Sequence, residues 1–252
     1  MAKRVLDEEE IVKERLAYVG TLAGGLAHEV RSPLNSIHLN VELIERSGCQ
    51  LSGENDKKFY KRISRIKDEV QNLQKTLTEF LQFARPPGVQ RLATNIKDYL
   101  YDVVEFIEPE LNGSNVKVKL VVADHKYPML IDRRQIEQVL HNLIFNARDE
   151  MISGGVINIK TTETENEILI EIEDEGEGID EEKQEVIFDA FYTTKKSGTG
   201  LGLGIVKRIV HEHGGRVELK SPLKGGKGTS FKIFLPKEKL LSYSPSDVAD
   251  EI

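Results

Sequence analysis

His28 is followed directly by Glu29, and Ser32 stands one helical turn further on. A carboxylate beside an imidazole can take the proton from one ring nitrogen and leave the other nucleophilic. Residues four apart on a helix share a face, so Ser32 is expected beside His28. Taken alone, a solvent-facing histidine is usually incidental. Pro33 changes the weighing, because proline inside a helix removes a backbone hydrogen bond and costs about 3 kcal/mol. A helix that carries such a defect is usually bent there for a reason. A second pair, Asn142 and Asn146, is also spaced by four. Asparagine is a poor interior helix residue, and a harmless polar face is the plain reading. Its amide oxygen is nevertheless a suitable neutral ligand for Mg²⁺ bound to phosphates. Asp174-Glu-Gly176-Glu-Gly178 offers an acceptor for an amino group beside glycines that let backbone approach a planar ligand. Turns at strand ends often look like this, so the motif is weak by itself. Gly198-Thr199-Gly200-Leu201-Gly202-Leu203-Gly204 precedes and opens a helical pattern. Glycines there expose backbone N–H groups to phosphate. A dinucleotide site would need a strand immediately before them, and 188–197 has no strand pattern. Gly225-Gly226-Lys227-Gly228-Thr229 mimics part of a P-loop without its full spacing and reads as a hairpin turn.

These residues must be positioned by two kinds of structure. Over residues 16–44 a 3,4-spaced series runs Leu16, Val19, Ala23, Leu26, Val30, Pro33, Ile37, Asn40, Ile44. A second runs Phe59, Ile63, Ile66, Val70, Leu73, Leu77, Phe80, Ala84. Both are heptad seams of packed helices. With Leu26 at position d and Val30 at a, His28 falls at f, away from the seam. The turn-like stretch 47–53 between the series predicts an antiparallel hairpin. One hairpin has little to bury its seams against, so two copies are expected to form a four-helix bundle. The alternative is a lone hairpin packed on the rest of the chain. After Pro86-Pro87 the pattern predicts helices over 95–110, 133–151 and 200–213. Strands are expected over 116–122, 156–161, 168–173, 216–220 and 229–235. That mixture points to an α/β sandwich, a sheet covered by helices on one face. The expected organisation is a helical hairpin over 1–90, the sandwich over 91–236 and a polar tail over 237–252.

Composition agrees with a soluble folded protein. Of 252 residues 39% are apolar and 31% charged, and the formal net charge is −7. That balance disfavours a globally basic nucleic-acid binder, and the absence of Trp removes the best stacking platform. Cys49 is the single cysteine, so a reducing, cytoplasmic compartment is the natural reading. No apolar run approaches the ~18–20 residues of a membrane span, and residues 1–30 lack a signal-peptide core.

Five segments, in this order, resemble the transmitter region of two-component sensor histidine kinases. Ala27-His28-Glu29-Val30-Arg31-Ser32-Pro33-Leu34-Asn35 is similar to the family's H-box, and Asn142–Ala147 to its N-box. Asp174–Gly178 resembles the G1 box, Phe188–Lys195 the F-box and Gly198–Gly204 the G2 box. The resemblance implies a dimerisation and phosphotransfer hairpin followed by an ATP-binding domain of the Bergerat type. It makes His28 the phosphoacceptor and Glu29 its proton acceptor. Asn146 would hold Mg²⁺, with Asn142 close to the phosphates. Asp174 would bind the adenine amino group, with Gly176 and Gly178 beside the base. Residues 179–199 would form a lid anchored by Phe188 and Phe191, with Lys195 within reach of the γ-phosphate. Gly198, Thr199, Gly200, Leu201, Gly202 and Gly204 would cradle the phosphates. Hydrolytic relatives carry a glutamate where Asn142 stands, which favours transfer to His28 over hydrolysis.

Two departures matter. Kinases that also dephosphorylate their partner often have Thr or Asn at the position of Ser32. A serine hydroxyl can still orient water, so the resemblance leaves phosphatase activity open. No sensor domain or anchor precedes Leu16, so the chain is either a soluble protein signalled through its first helix or a piece of a longer sensor. The implied partner is a response-regulator receiver domain, and Phe83-Ala84-Arg85-Pro86-Pro87 resembles kinases serving enhancer-binding, NtrC-like regulators. The rivals are a Bergerat-fold ATPase, which would consume ATP without phosphohistidine, and a non-catalytic dimeric scaffold.

Overall fold

The computed structural model describes residues 26, 30–45, 54–84, 88–123, 128–195 and 198–237. They fall into two compact units. One combines residues up to Pro87 with Asp189–Gly202, and the other combines Gly88–Phe188 with residues from Leu203 onward. The expected tail beyond residue 237 lies outside the described residues.

The first unit is built on helix α1 (residues 30–45) and helix α2 (Glu54–Ala84). Pro33 lies inside α1 and is half-buried. Arg62 of α2 donates from Nη1 to the Leu43 carbonyl of α1. That bond joins the end of one helix to the early part of the next, as an antiparallel hairpin requires. Among the described residues of α1 and α2 only Asn40 and Thr76 are buried, at 6% and 8% exposure. Both are polar, and each side chain donates to a carbonyl of its own helix. Asn40 Nδ2 donates to the Ser36 carbonyl at 2.8 Å and Thr76 Oγ1 to the Asn72 carbonyl at 2.9 Å. Apolar seam residues are covered less well, with Val70 41% and Leu77 48% exposed. One hairpin therefore leaves much of its apolar seam uncovered.

The second unit runs β1 (Leu92–Thr94), α3 (Ile96–Leu111), β2 (Val116–Val121), β3 (Met129–Ile131), α4 (Arg133–Glu150), β4 (Gly155–Glu163) and β5 (Glu167–Asp174). It continues with α5 (Gly202–Glu212), β6 (Arg216–Lys220) and β7 (Thr229–Pro236). Five strands form a sheet of order β2-β4-β5-β7-β6. The β2–β4 pair is parallel and the remaining pairs are antiparallel. A parallel pair needs a crossover, which β3 and α4 supply. Burial alternates strictly along β5, where Ile168, Ile170, Ile172 and Asp174 face inward. The helices bury Ile107, Leu140, Leu143, Ile144 and Ile209, among others, as the other half of the core. On the opposite face of the sheet charges pair across strands, as in Lys232–Glu171 at 3.7 Å and Lys160–Glu173 at 3.9 Å. A sheet with one apolar and one charged face is the layer expected from period-2 alternation.

All five strands and three helices expected after Pro87 are present, with bounds shifted by a few residues. The short strands β1 and β3 were not expected. They pair antiparallel, Leu92 opposite Ile131, as a separate two-stranded sheet. Their work is at the start of α4. Asp132 follows β3 and accepts from the N–H groups of Arg134 at 3.1 Å and Gln135 at 3.2 Å, capping the helix. Its other oxygen accepts from Gln90 N–H at 2.8 Å. The Asp132 N–H donates to Nε2 of buried His213 at 3.1 Å, while the His213 Nδ1–H donates to the Ile209 carbonyl at 2.8 Å. Those bonds require the neutral ring, and burial pushes the His213 pKa down. Tyr99 of α3 donates to the Arg133 carbonyl at 2.6 Å and ties α3 to the same end of α4.

Candidate active site

Helix α4 turns one stripe into the core, including Ile136, Val139, Leu143, Ile144 and Ala147. Asn142 and Asn146 lie on the flank of that stripe, each half-buried. The spacing of four continues to Glu150 at the end of the helix. Gly176 packs on this end. A Cβ at Gly176 would come within 3.0 Å of Glu150 Cβ and 3.0 Å of Asp174 Oδ1. The loop after β5 therefore lies against the helix that carries both asparagines.

Asp174 is the last inward residue of β5 and is 7% exposed. Its Oδ1 accepts from Gly176 N–H at 2.8 Å and Thr229 N–H at 3.2 Å. Among the described residues Oδ2 has no hydrogen-bond partner. Burial pushes the carboxyl pKa up, the two N–H bonds pull it down, and the carboxylates of Glu150 and Glu173 push it up further. The net direction is upward. The result is a fixed carboxylate with one oxygen held by backbone and the other available to a donor.

The loop after Asp174 is held from behind. Gly228 N–H donates to the Gly176 carbonyl at 2.7 Å, and Thr229 stands opposite Asp174 in the β5–β7 register. Gly178 has φ +86°, which favours glycine. The stretch 225–228 joins β6 to β7, antiparallel neighbours, so the P-loop-like residues form a hairpin connection. Phe188 makes an edge contact with Phe231 of β7 at 6.3 Å, and the Lys207 ammonium lies 5.6 Å from its ring centre. Gly204 is buried in the first turn of α5.

The remaining glycine-motif residues belong to the first unit. Phe191 has φ +66° and donates its N–H to the Gly200 carbonyl at 3.1 Å. Gly200 has φ +68°, and a Cβ there would meet the Phe191 carbonyl carbon at 2.4 Å. Only glycine fits that approach. Lys195 is half-buried, and its N–H donates to Thr193 Oγ1 at 3.0 Å. Gly198 packs on the same threonine, with a Cβ position 2.6 Å from Thr193 Oγ1. The Thr199 hydroxyl donates to the Glu79 carboxylate of α2, and Leu201 is fully buried. Gly202 begins α5.

Ser32 is exposed on α1, whereas His28 and Glu29 lie outside the described residues. The structure thus brings Asn142, Asn146, Asp174, Gly176 and Gly178 to one end of the second unit. Thr229 and Gly228, not expected at the site, hold the Asp174 loop. A Gly-Thr pair opening the last strand was their one signal in the sequence.

The donor set bears on a metal. Asn142 and Asn146 offer neutral amide oxygens, and among the described residues no three His, Cys, Asp or Glu side chains form a metal-binding group. Such residues fit a hydrated Mg²⁺ carried largely by phosphate oxygens, and not a preformed protein cage.

Comparison with known proteins gives two family matches. Residues 18–88 match the His Kinase A (phospho-acceptor) domain, and residues 131–239 match the histidine kinase-, DNA gyrase B- and HSP90-like ATPase. Sporulation kinase E of Bacillus subtilis is 33% identical over 93% of this chain and 31% of its own length. Sensor histidine kinase ZraS of Escherichia coli K12 is 30% identical over 93% of this chain and 49% of its own. The chain thus spans about a third to a half of these curated relatives. The solved structure of histidine kinase ThkA in complex with the response regulator protein TrrA has a TM-score of 0.75 and 27% identity. It covers 92% of this chain and 66% of its own. The catalytic domain of ThkA is 30% identical, with a TM-score of 0.54, over 59% of this chain and 96% of that one.

Proposed function

Since this chain belongs to the sensor histidine kinases of two-component systems, as their transmitter region, we propose that it phosphorylates itself on His28 with ATP and Mg²⁺. The phosphoryl group then passes to an aspartate of a response-regulator receiver domain. The observation that carries the reading is Asp174. A buried carboxylate with one oxygen fixed by two backbone N–H groups is built to accept from an amino group such as that of adenine.

In the proposed reaction a His28 ring nitrogen attacks the γ-phosphorus, and the bond from phosphorus to the β-bridging oxygen breaks as ADP leaves. The imidazole N–H proton goes to Glu29. The receiver aspartate later attacks the same phosphorus, and the P–N bond breaks. Bound Mg²⁺ neutralises phosphate charge, as loose phosphoryl transfer requires. Asn146 would hold it, with Asn142 near the phosphates. Lys195, Gly198, Thr199, Gly200, Leu201, Gly202 and Gly204 would close on the phosphates, and Phe191 would anchor the lid. Gly176 and Gly178 leave room for the base. The Ser32 hydroxyl is the group that would orient water if the protein also dephosphorylates its partner.

A homodimer follows from the half-covered seam of α1 and α2, since a second hairpin would bury Val70 and Leu77. The working division is hairpin over 1–90 and ATP-binding domain over 91–236. The Phe83–Pro87 junction favours an enhancer-binding, NtrC-like regulator as partner. No described helix is long and apolar enough to cross a membrane, and cytoplasmic residence suits the single Cys49. Incubation with γ-labelled ATP and Mg²⁺ tests the reading. The label should survive alkali, be lost in acid, and be absent from His28→Gln. ADP formation without label would favour an ATPase, and no nucleotide binding a scaffold.

A further inference from the structure

We propose that Ser221 is a positioning residue for nucleotide-base recognition, acting through the loop that seats Asp174. The inference rests on the reading of Asp174 above. Ser221 directly follows β6, and its side-chain oxygen meets three groups on two other segments, the loop after β5 and the start of β7. It accepts from Ile179 N–H at 2.7 Å, donates to the Gly228 carbonyl at 3.0 Å and lies 3.2 Å from Thr229 Oγ1. A hydroxyl has one proton, and the Gly228 carbonyl can only accept. The Ser221 proton is therefore committed to Gly228, and the Thr229 hydroxyl donates to Ser221 Oγ.

The segments joined by this oxygen are those that hold Asp174. Thr229 and Gly176 supply the N–H groups on Oδ1, and Gly228 N–H holds the Gly176 carbonyl. Gly178 is packed down on the hydroxyl, since a Cβ there would lie 3.2 Å from Ser221 Oγ. Gln184 extends the clamp. Its Nε2 donates to the carbonyls of Ile179, at 3.0 Å, and Ser221. The loop leaving β5 is thus tied at Ile179 by one hydroxyl and one carboxamide. Without the hydroxyl, Ile179 N–H and the Gly228 carbonyl each lose a partner. The carboxylate stays at the end of β5 and loses its fixed aim, and a hydrogen bond weakens steeply with angle.

The test is direct binding of ATP and inosine triphosphate to the full chain. The two nucleotides differ at the 6-amino group. Ser221→Ala should lower ATP affinity about tenfold, the size of one charge-assisted hydrogen bond. Affinity for inosine triphosphate should stay within about twofold, a difference worth well under 1 kcal/mol. Ser221→Thr, which keeps the hydroxyl, should restore the preference for ATP. Gln184→Ala should move the preference in the same direction as Ser221→Ala by a smaller amount. Equal losses for both nucleotides, or no loss, would overturn the proposal. If Ser221→Ala does not fold, the Gln184→Ala and Ser221→Thr results decide it by the same criterion. Asp174→Asn is measured alongside. If it keeps full preference for ATP, the reading of Asp174 fails. If it loses the preference while Ser221→Ala and Gln184→Ala keep it, only the role of Ser221 falls.

Discussion

Asp174→Asn separates recognition from folding. The asparagine oxygen can still accept from Gly176 and Thr229 N–H, so the seat of the loop survives. What changes is the second position, where an amide NH₂ replaces the charged oxygen and faces the base amino group, donor against donor. A hydrogen bond to a charged group contributes about 1.5–3 kcal/mol. At about 1.4 kcal/mol per decade, ATP affinity should fall about tenfold to about 150-fold. Stability should move the other way. The carboxyl pKa is raised in the fold, chiefly by burial, so ionisation at neutral pH costs the folded state free energy. A raised pKa means the native state binds more protons than the unfolded chain above the ordinary carboxyl pKa. Wild-type stability therefore falls as pH rises through the folded pKa. The neutral variant escapes that loss, so its melting midpoint should match or exceed the wild type at pH 7.5, and the gap should narrow towards pH 4. Calorimetric titration with ATP and thermal melts at the two pH values measure both. Unchanged affinity would refute Asp174 as the base acceptor. A clear drop in melting midpoint at pH 7.5 would refute the account of its burial.

Three further outcomes are expected. Replacing Leu73 and Leu77 with glutamate should convert a dimer to a monomer in light scattering, because charges would enter the seam; a persistent dimer would remove α2 from the interface. His213 is held neutral by Asp132 N–H and Ile209, with Arg91, Asp132 and Glu212 also acting on it. Its lowered pKa means the unfolded chain binds the extra proton first, so stability should fall as pH drops below about 6.5. His213→Ala should cost about 1–3 kcal/mol at pH 8 and flatten that dependence in denaturant titrations; an unchanged slope would point to other groups. Gly200→Ala forces a Cβ into the Phe191 backbone at φ +68°. It should abolish His28 labelling while the second unit's melting transition persists; normal labelling would show that this approach is not needed for transfer.

The elements were legible wherever a repeat was long enough to show its period. Strand β5 alternates over eight residues and α4 carries its apolar stripe over eighteen, so the sequence places both close to their bounds. Strands β1 and β3 have three residues each, too few for a period-2 pattern to show in the sequence. The chemistry-bearing side chains were legible because their types and order are local properties of the chain. Asp174, Asn142, Asn146 and the glycines could be singled out one motif at a time. Their support could not, because it comes from pairing across distance. Nothing near Thr229 in sequence says that it will lie opposite Asp174, or that the Ser221 hydroxyl will meet Ile179. Only the closing of β7 between β5 and β6 decides those contacts. In the hairpin, Asn40 looked like a flaw in an apolar seam, yet it is among the most buried described residues there, because its amide folds back on Ser36. Periodicity specifies which face of an element is apolar. What each polar atom on that face finds as a partner is settled by three-dimensional packing, since a buried donor or acceptor must be satisfied by whatever the fold brings near.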